Sequence, residues 1–135
     1  IKIDHCSKFE IIDEYGNKTI KTKSGLMVRS QQEKIVYDEL YDRKVRIEYE
    51  KTISYIDENG EMQELHPDFY LPDYKLFIEH WGFANTNDPG YLDKKRKKEA
   101  IYREKGFRVA GTVSKDIEDI QAAIERIFIE FNIKV

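Results

Sequence analysis

The chain has 135 residues, enough for one domain with a buried core. It is 40% hydrophobic and 36% charged with few Gly and Pro, which excludes a disordered chain and describes a folded domain with a heavily charged surface. The net charge of −3 excludes attraction of polyanions by the molecule as a whole, so any polyanion has to be met by a local basic patch.

The N-terminal stretch holds the lone cysteine, Cys6, which excludes an intrachain disulfide and fits a reducing cytoplasm. His5 lies beside it, but no partner pair stands at zinc spacing, so the two read as incidental. The chain opens on Ile1 and not Met, which reads as a piece of a longer protein. No apolar run approaches the ~20 residues of a membrane span, no signal peptide is visible, and no membrane partner is expected. Residues 8–23 predict a hairpin. Phe9, Ile11 and Ile12 precede the turn Glu14-Tyr15-Gly16-Asn17, and Thr19, Ile20 and Thr22 follow it. Ser24-Gly25 ends this unit, and residues 1–29 are read as an N-terminal β extension to a main domain at 30–135.

Ser30-Gln31-Gln32-Glu33 matches a capping box and predicts a first helix to about Asp42. Ser30 caps, Glu33 reaches back to the Ser30 amide, and Ile35, Val36, Leu40, Tyr37 and Tyr41 form a buried stripe. Val45 to Glu50 alternates as a strand, extended by Ile53, Tyr55 and Ile56. Asn59-Gly60 is a strong hairpin signal, and the return strand runs through Met62 and Leu65 toward Asp68. These strands predict a three-stranded antiparallel meander.

The next hairpin, residues 66–82, is the centre of the chain. With its turn between Asp73 and Tyr74, Leu71 lies opposite Leu76, Phe69 opposite Ile78, and Asp68 opposite Glu79. Asp68 and Glu79 then share one face and the four apolar residues the other. Like charges directly across a ladder lie ~5 Å apart at Cβ and are destabilising, so the pair requires compensation. A divalent cation is the simplest compensation, and Mg²⁺ suits one or two carboxylates with several waters. Removing either acid relieves that repulsion and is expected to stabilise the metal-free protein. Two solvated acids on an exposed strand face are the plain alternative, which flanking Pro67, Gly82 and the aromatic neighbours disfavour.

A second helix is expected over about Tyr91–Lys105, capped by Gly106, followed by a compact, mostly apolar strand over residues 107–113 expected to lie inside a sheet. Ser114 is expected to cap a last helix with Ile117, Ile120, Ile124, Ile127, Phe128 and Phe131 inward. The second helix carries the strong basic run Lys94-Lys95-Arg96-Lys97-Lys98. At about 100° per residue, Lys94 falls about 40° from Lys98, and Tyr91, Ile101, Tyr102 and Lys95 fall within about 60°. Lys98 therefore lies on the sheet-facing stripe, where a lysine is uncommon unless paired, and Asp68 and Glu79 are its expected partners. Arg96 and Lys97 lie outward, where phosphate contact and simple solubility weigh equally; Lys94 and Lys95 complete the patch.

Several motifs together resemble the PD-(D/E)xK nuclease superfamily, in particular the small nuclease domains found alone or fused to DNA helicases. They are Val28-Arg29-Ser30 with Glu33, Glu48-Tyr49-Glu50-Lys51, Pro67-Asp68-Phe69, Ile78-Glu79-His80-Trp81-Gly82, and Tyr91 with Lys98 ahead of Tyr102 and Gly106. The resemblance spans roughly residues 28–112. It implies an α/β restriction-endonuclease-like αβββαβ core, a mixed sheet flanked by helices, and Mg²⁺- or Mn²⁺-dependent hydrolysis of phosphodiester bonds as an endo- or exodeoxyribonuclease.

The resemblance also implies the site. Asp68 and Glu79 match the metal-binding acids, with the backbone carbonyl of His80 as a further ligand, and Glu33 matches the first-helix acid. The superfamily commonly carries its lysine two residues after the second acid, where this chain has Trp81. In the resembling subgroup the lysine moves to the following helix, which matches Lys98. The implied partners are nucleic acid, DNA foremost, and a larger helicase-containing protein or a second copy of the chain. The other reading is a nuclease-fold binding or helicase-accessory module that has lost cleavage.

Overall fold

The computed structural model describes residues 17–82 and 88–134. In chain order the elements are β1 (Ile20–Lys21), β2 (Met27–Val28), α1 (Gln31–Asp42), β3 (Glu48–Tyr49), β4 (Ile53–Ile56), β5 (Met62–Leu65), β6 (Phe69–Leu71), β7 (Leu76–Trp81), α2 (Pro89–Glu104), β8 (Arg108–Val113), a 3₁₀ turn (Ser114–Asp119) and α3 (Ile120–Glu130). The fold is mixed α/β. It forms two compact units, one from Arg46 to Ser114 and one combining the residues before and after that segment.

In the second of these units, β1 and β2 pair antiparallel with Ile20 opposite Val28. The expected hairpin at 8–23 lies mostly outside the described residues, as do His5, Cys6 and the loop residues Asn85, Thr86 and Asn87. Ser24-Gly25 does not end a unit; it forms the β1–β2 turn. Gly25 has φ +95°, and the Thr22 amide closes the turn on the Leu26 carbonyl at 2.9 Å. Helix α1 starts where the capping box places it, with the Glu33 amide donating to Ser30 Oγ at 3.1 Å. The Glu33 carboxylate accepts from the Arg29 amide at 3.1 Å, one residue before the expected Ser30 amide. Val36, Tyr37 and Leu40 are buried, while Tyr41 is exposed and stacks on Tyr37.

Ala123, Ile124, Ile127 and Phe128 form the buried face of α3. The Arg43 guanidinium ties α1 to α3 by pairing with Glu125 at 2.7 Å and lying over the Phe128 ring. The α3 cap is Asp119, which accepts from the Ala122 amide. Ser114 was expected to cap, but its hydroxyl donates to the Gly82 carbonyl, and the chain makes a 3₁₀ turn before the helix begins.

The unit from Arg46 to Ser114 holds a four-stranded mixed sheet in the order β3-β6-β7-β8, which leaves β8 at an edge and not inside the sheet as its apolar run predicts, with only Ala110 and Thr112 buried. β3–β6 and β6–β7 are antiparallel, and β7–β8 is parallel, joined through the crossover that contains α2. The strand expected over residues 45–56 is not continuous. Glu50 takes φ +54°, a left-handed conformation that interrupts pairing, while its amide bonds the Asp68 carbonyl at 2.9 Å. β4 and β5 therefore form their own two-stranded ladder, Ile53 opposite Leu65, in place of one meander. Ile53, Leu65, Phe77 and Tyr102 make a buried cluster with Tyr70, Ile101, Phe107 and Val109 against it. α2 begins two residues earlier than expected, because Asp88 accepts from the Gly90 amide and Pro89 occupies the first turn. Gly106 follows its end with φ +77°, the left-handed conformation that suits glycine.

Candidate functional site

The β6–β7 hairpin places the two acids. Leu71 pairs with Leu76 and Phe69 with Ile78, as alternation predicts, around a turn in which Lys75 takes φ +51°. Continuing the ladder by one step brings Asp68 opposite Glu79. Each carboxylate accepts a backbone amide from the facing strand: the Asp68 amide donates to Glu79 Oε1 at 2.9 Å, and the His80 amide donates to Asp68 Oδ2 at 2.7 Å. Glu79 is only 2% exposed. A buried carboxylate without partners costs several kcal/mol, so its contacts decide whether the strand tolerates it.

Helix α2 supplies those contacts. Lys98 Nζ lies 2.5 Å from Glu79 Oε2, and the Tyr102 hydroxyl donates to the same oxygen at 3.1 Å. Lys98 and Tyr102 stand one turn apart on one helical face, so both reach one acceptor. Burial foremost, then the charge of Glu79, pushes the Tyr102 phenol well above its ordinary value, which fixes it as the donor. The compensation that facing acids require thus comes in part from the chain itself: lysine and phenol on Glu79, and a backbone amide on Asp68.

Trp81 lies two residues after Glu79 on the same face of β7. Lys98 Nζ sits 5.5 Å from the centre of its ring and Lys95 Nζ 5.2 Å, both within cation–π range. Lys95 also pairs with Glu99 at 3.2 Å. Of the remaining basic run, Lys94 and Arg96 are exposed, and Lys97 is exposed and pairs with Asp93 at 3.2 Å. The run is therefore divided between two lysines drawn onto Trp81 and three residues facing solvent.

His80 points away from the acids. Its ring lies on the opposite face of β7 and bonds the Thr112 hydroxyl at 2.8 Å, the residue paired with it on β8. Its amide meets Asp68, and the amide and carbonyl of one strand residue open toward the same edge, so its carbonyl faces the β6 side as well. Glu33 belongs to the other compact unit, where its described bonds are those of a helix cap. Sequence reasoning missed the hydroxyl of Tyr102 as a partner of Glu79. Its spacing of four from Lys98 was visible, but a tyrosine on an apolar stripe reads as packing.

Among the described residues no group of three or more His, Cys, Asp or Glu is placed to hold a metal ion. The donors at the Asp68–Glu79 edge are two carboxylates and a backbone carbonyl, all hard oxygens of the kind Mg²⁺ and Mn²⁺ take. Glu79 accepts three bonds of the about four that a carboxylate offers, so the donor set fits a cation held jointly with water. No protein-family model, no curated protein and no solved structure matches this chain.

Proposed function

We propose that this chain is a divalent-metal-dependent nuclease with a restriction-endonuclease-like core, hydrolysing phosphodiester bonds of nucleic acid, DNA foremost. The observation that supports this reading is the contact of Lys98 with Glu79 at 2.5 Å. It joins the second acid of the resembling motif to a lysine from the following helix, across 19 residues of sequence and on a buried carboxylate. An acid and a lysine brought together this way suit a site that handles a phosphate, where the acid holds a cation and the lysine meets the anion.

In this reading Asp68, Glu79 and the His80 carbonyl hold Mg²⁺ or Mn²⁺. When bound, the ion supplies an acidified water and charge stabilisation at phosphorus. The chain's own residues do the rest. Lys98 orients the attacking water and offsets negative charge in the transition state. Tyr102 holds Glu79 in place by its hydroxyl. Lys94, Lys95, Arg96 and Lys97 on α2 meet the phosphate backbone. A chain with this site works alone, as a pair, or as part of a helicase-containing protein.

The test is cleavage of single-stranded, duplex and branched DNA with Mg²⁺, Mn²⁺ or EDTA. Cleavage that requires the metal and disappears in Asp68→Asn and Glu79→Gln is the expected result; cleavage in EDTA refutes the assignment. A binding module that has lost cleavage is the second reading, favoured by the ion pair that already neutralises Glu79. It predicts DNA binding that is indifferent to metal and to both substitutions.

A further inference from the structure

We infer that Trp81 and Gly111 are positioning residues that set where the Lys98 amine sits. Trp81 occupies the face of β7 that carries Glu79, and the Lys98 amine lies over its ring, 5.5 Å from the centre, while it touches Glu79 Oε2. A lysine stem has four rotatable bonds and loses much of its rotamer freedom when fixed. The ring face offsets part of that loss and bars the conformations that lead the amine away from the acid.

The ring needs room to lie there, and β8 provides it. Gly111 pairs with Glu79 in the parallel ladder, and a Cβ built on it falls 2.9 Å from both Cδ1 and Nε1 of the indole. Real Cβ atoms do not approach so closely, so any side chain at 111 displaces the ring. The glycine is required here for space and not for backbone conformation. Lys95 lies on the same ring and pairs with Glu99, which adds a second hold on the indole. The position two residues after the second acid thus acts on the lysine from beneath, through a tryptophan that a glycine on the neighbouring strand admits.

The effect on turnover rests on the nuclease reading; the placement of Lys98 does not. Two measurements on the intact chain therefore go together, with Trp81→Phe, Trp81→Leu and Gly111→Ala. The first is amine acylation read by mass spectrometry, with exposed Lys94 on the same helix as internal reference. Lys98 should acylate more slowly than Lys94 in the wild type and in Trp81→Phe, and approach Lys94 in Trp81→Leu and Gly111→Ala. The second is metal-dependent cleavage. Trp81→Leu should lower kcat about tenfold, the effect of losing a contact of cation–π strength, with KM nearly unchanged, and Trp81→Phe should restore most of it. If Lys98 reacts in Trp81→Leu as it does in the wild type, the inference is overturned. If Lys98 is released in Trp81→Leu but no variant and not the wild type cleaves any DNA, the positioning role stands and the nuclease reading fails.

Discussion

Glu79 is the residue on which the most contacts converge, and its substitutions separate charge from packing. From the sequence alone, deleting one of two facing acids was expected to stabilise the metal-free protein. The structure reverses that expectation for Glu79. Glu79→Ala leaves the Lys98 amine and the Tyr102 hydroxyl beside a cavity with no acceptor, and should cost about 3 kcal/mol in urea unfolding. Tyr102→Phe removes one donor from a buried carboxylate and should cost about 1–2 kcal/mol by the same measurement. On the nuclease reading, Lys98→Met keeps the stem and should cut turnover by orders of magnitude while cation binding, read calorimetrically, persists. The pairing of the acids was legible because strand alternation fixes register, and that of Lys98 because helical angles put it on the sheet-facing stripe. The Trp81–Gly111 contact was not legible, since adjacency across a parallel ladder depends on a register that no local pattern encodes.

Among the elements, the β4–β5 hairpin carries its own pH dependence. Asp57 Oδ1 accepts from the Asn59 and Glu61 amides, both at 2.9 Å, and Oδ2 from the Gln63 side chain at 3.0 Å. The Glu61 amide foremost, then Gln63, holds the Asp57 carboxyl below its ordinary value. A carboxyl depressed in the folded state stabilises above the ordinary carboxylate range, and that contribution disappears as pH falls through the depressed value. Protection of the turn amides, taken relative to the exchange of an unstructured chain at the same pH, should therefore fall below about pH 4 in the wild type and show a weaker pH step in Asp57→Asn. At α2, Asp88→Ala removes the cap on Gly90 and should cost about 1 kcal/mol of thermal stability. Gly106 marked the end of this helix and Asn59-Gly60 marked this hairpin, whereas the cap Asp88 read as loop. What the pattern concealed was the break at Glu50, because a left-handed glutamate leaves no signature in an alternating run.

For the whole molecule, the net charge of −3 makes the proposed nucleic-acid contact depend on the exposed side of α2, against a mildly repulsive background. Affinity for duplex DNA should fall steeply with salt. Lys94→Ala and Arg96→Ala should each reduce the slope of log K against log salt by about 1 if each neutralises one phosphate. Titrations at several salt concentrations check this, and an unchanged slope removes α2 from the interface. None of the described helices is long and apolar enough to cross a membrane.

β7 has one antiparallel and one parallel neighbour, and the two ladders differ in the order in which a chain can assemble them. Leu71 meets Leu76 across a tight turn, whereas Leu76 meets Arg108 only after 32 intervening steps of chain and a whole helix. Local hairpins close in microseconds, while a crossover of that length carries a larger entropic toll and forms afterwards. Both acids therefore face each other on a nascent hairpin before Lys98 and Tyr102 arrive to neutralise Glu79. The early hairpin carries its like charges unshielded, so refolding of this segment should be faster in Glu79→Gln than in the wild type, or in the wild type when millimolar Mg²⁺ is added.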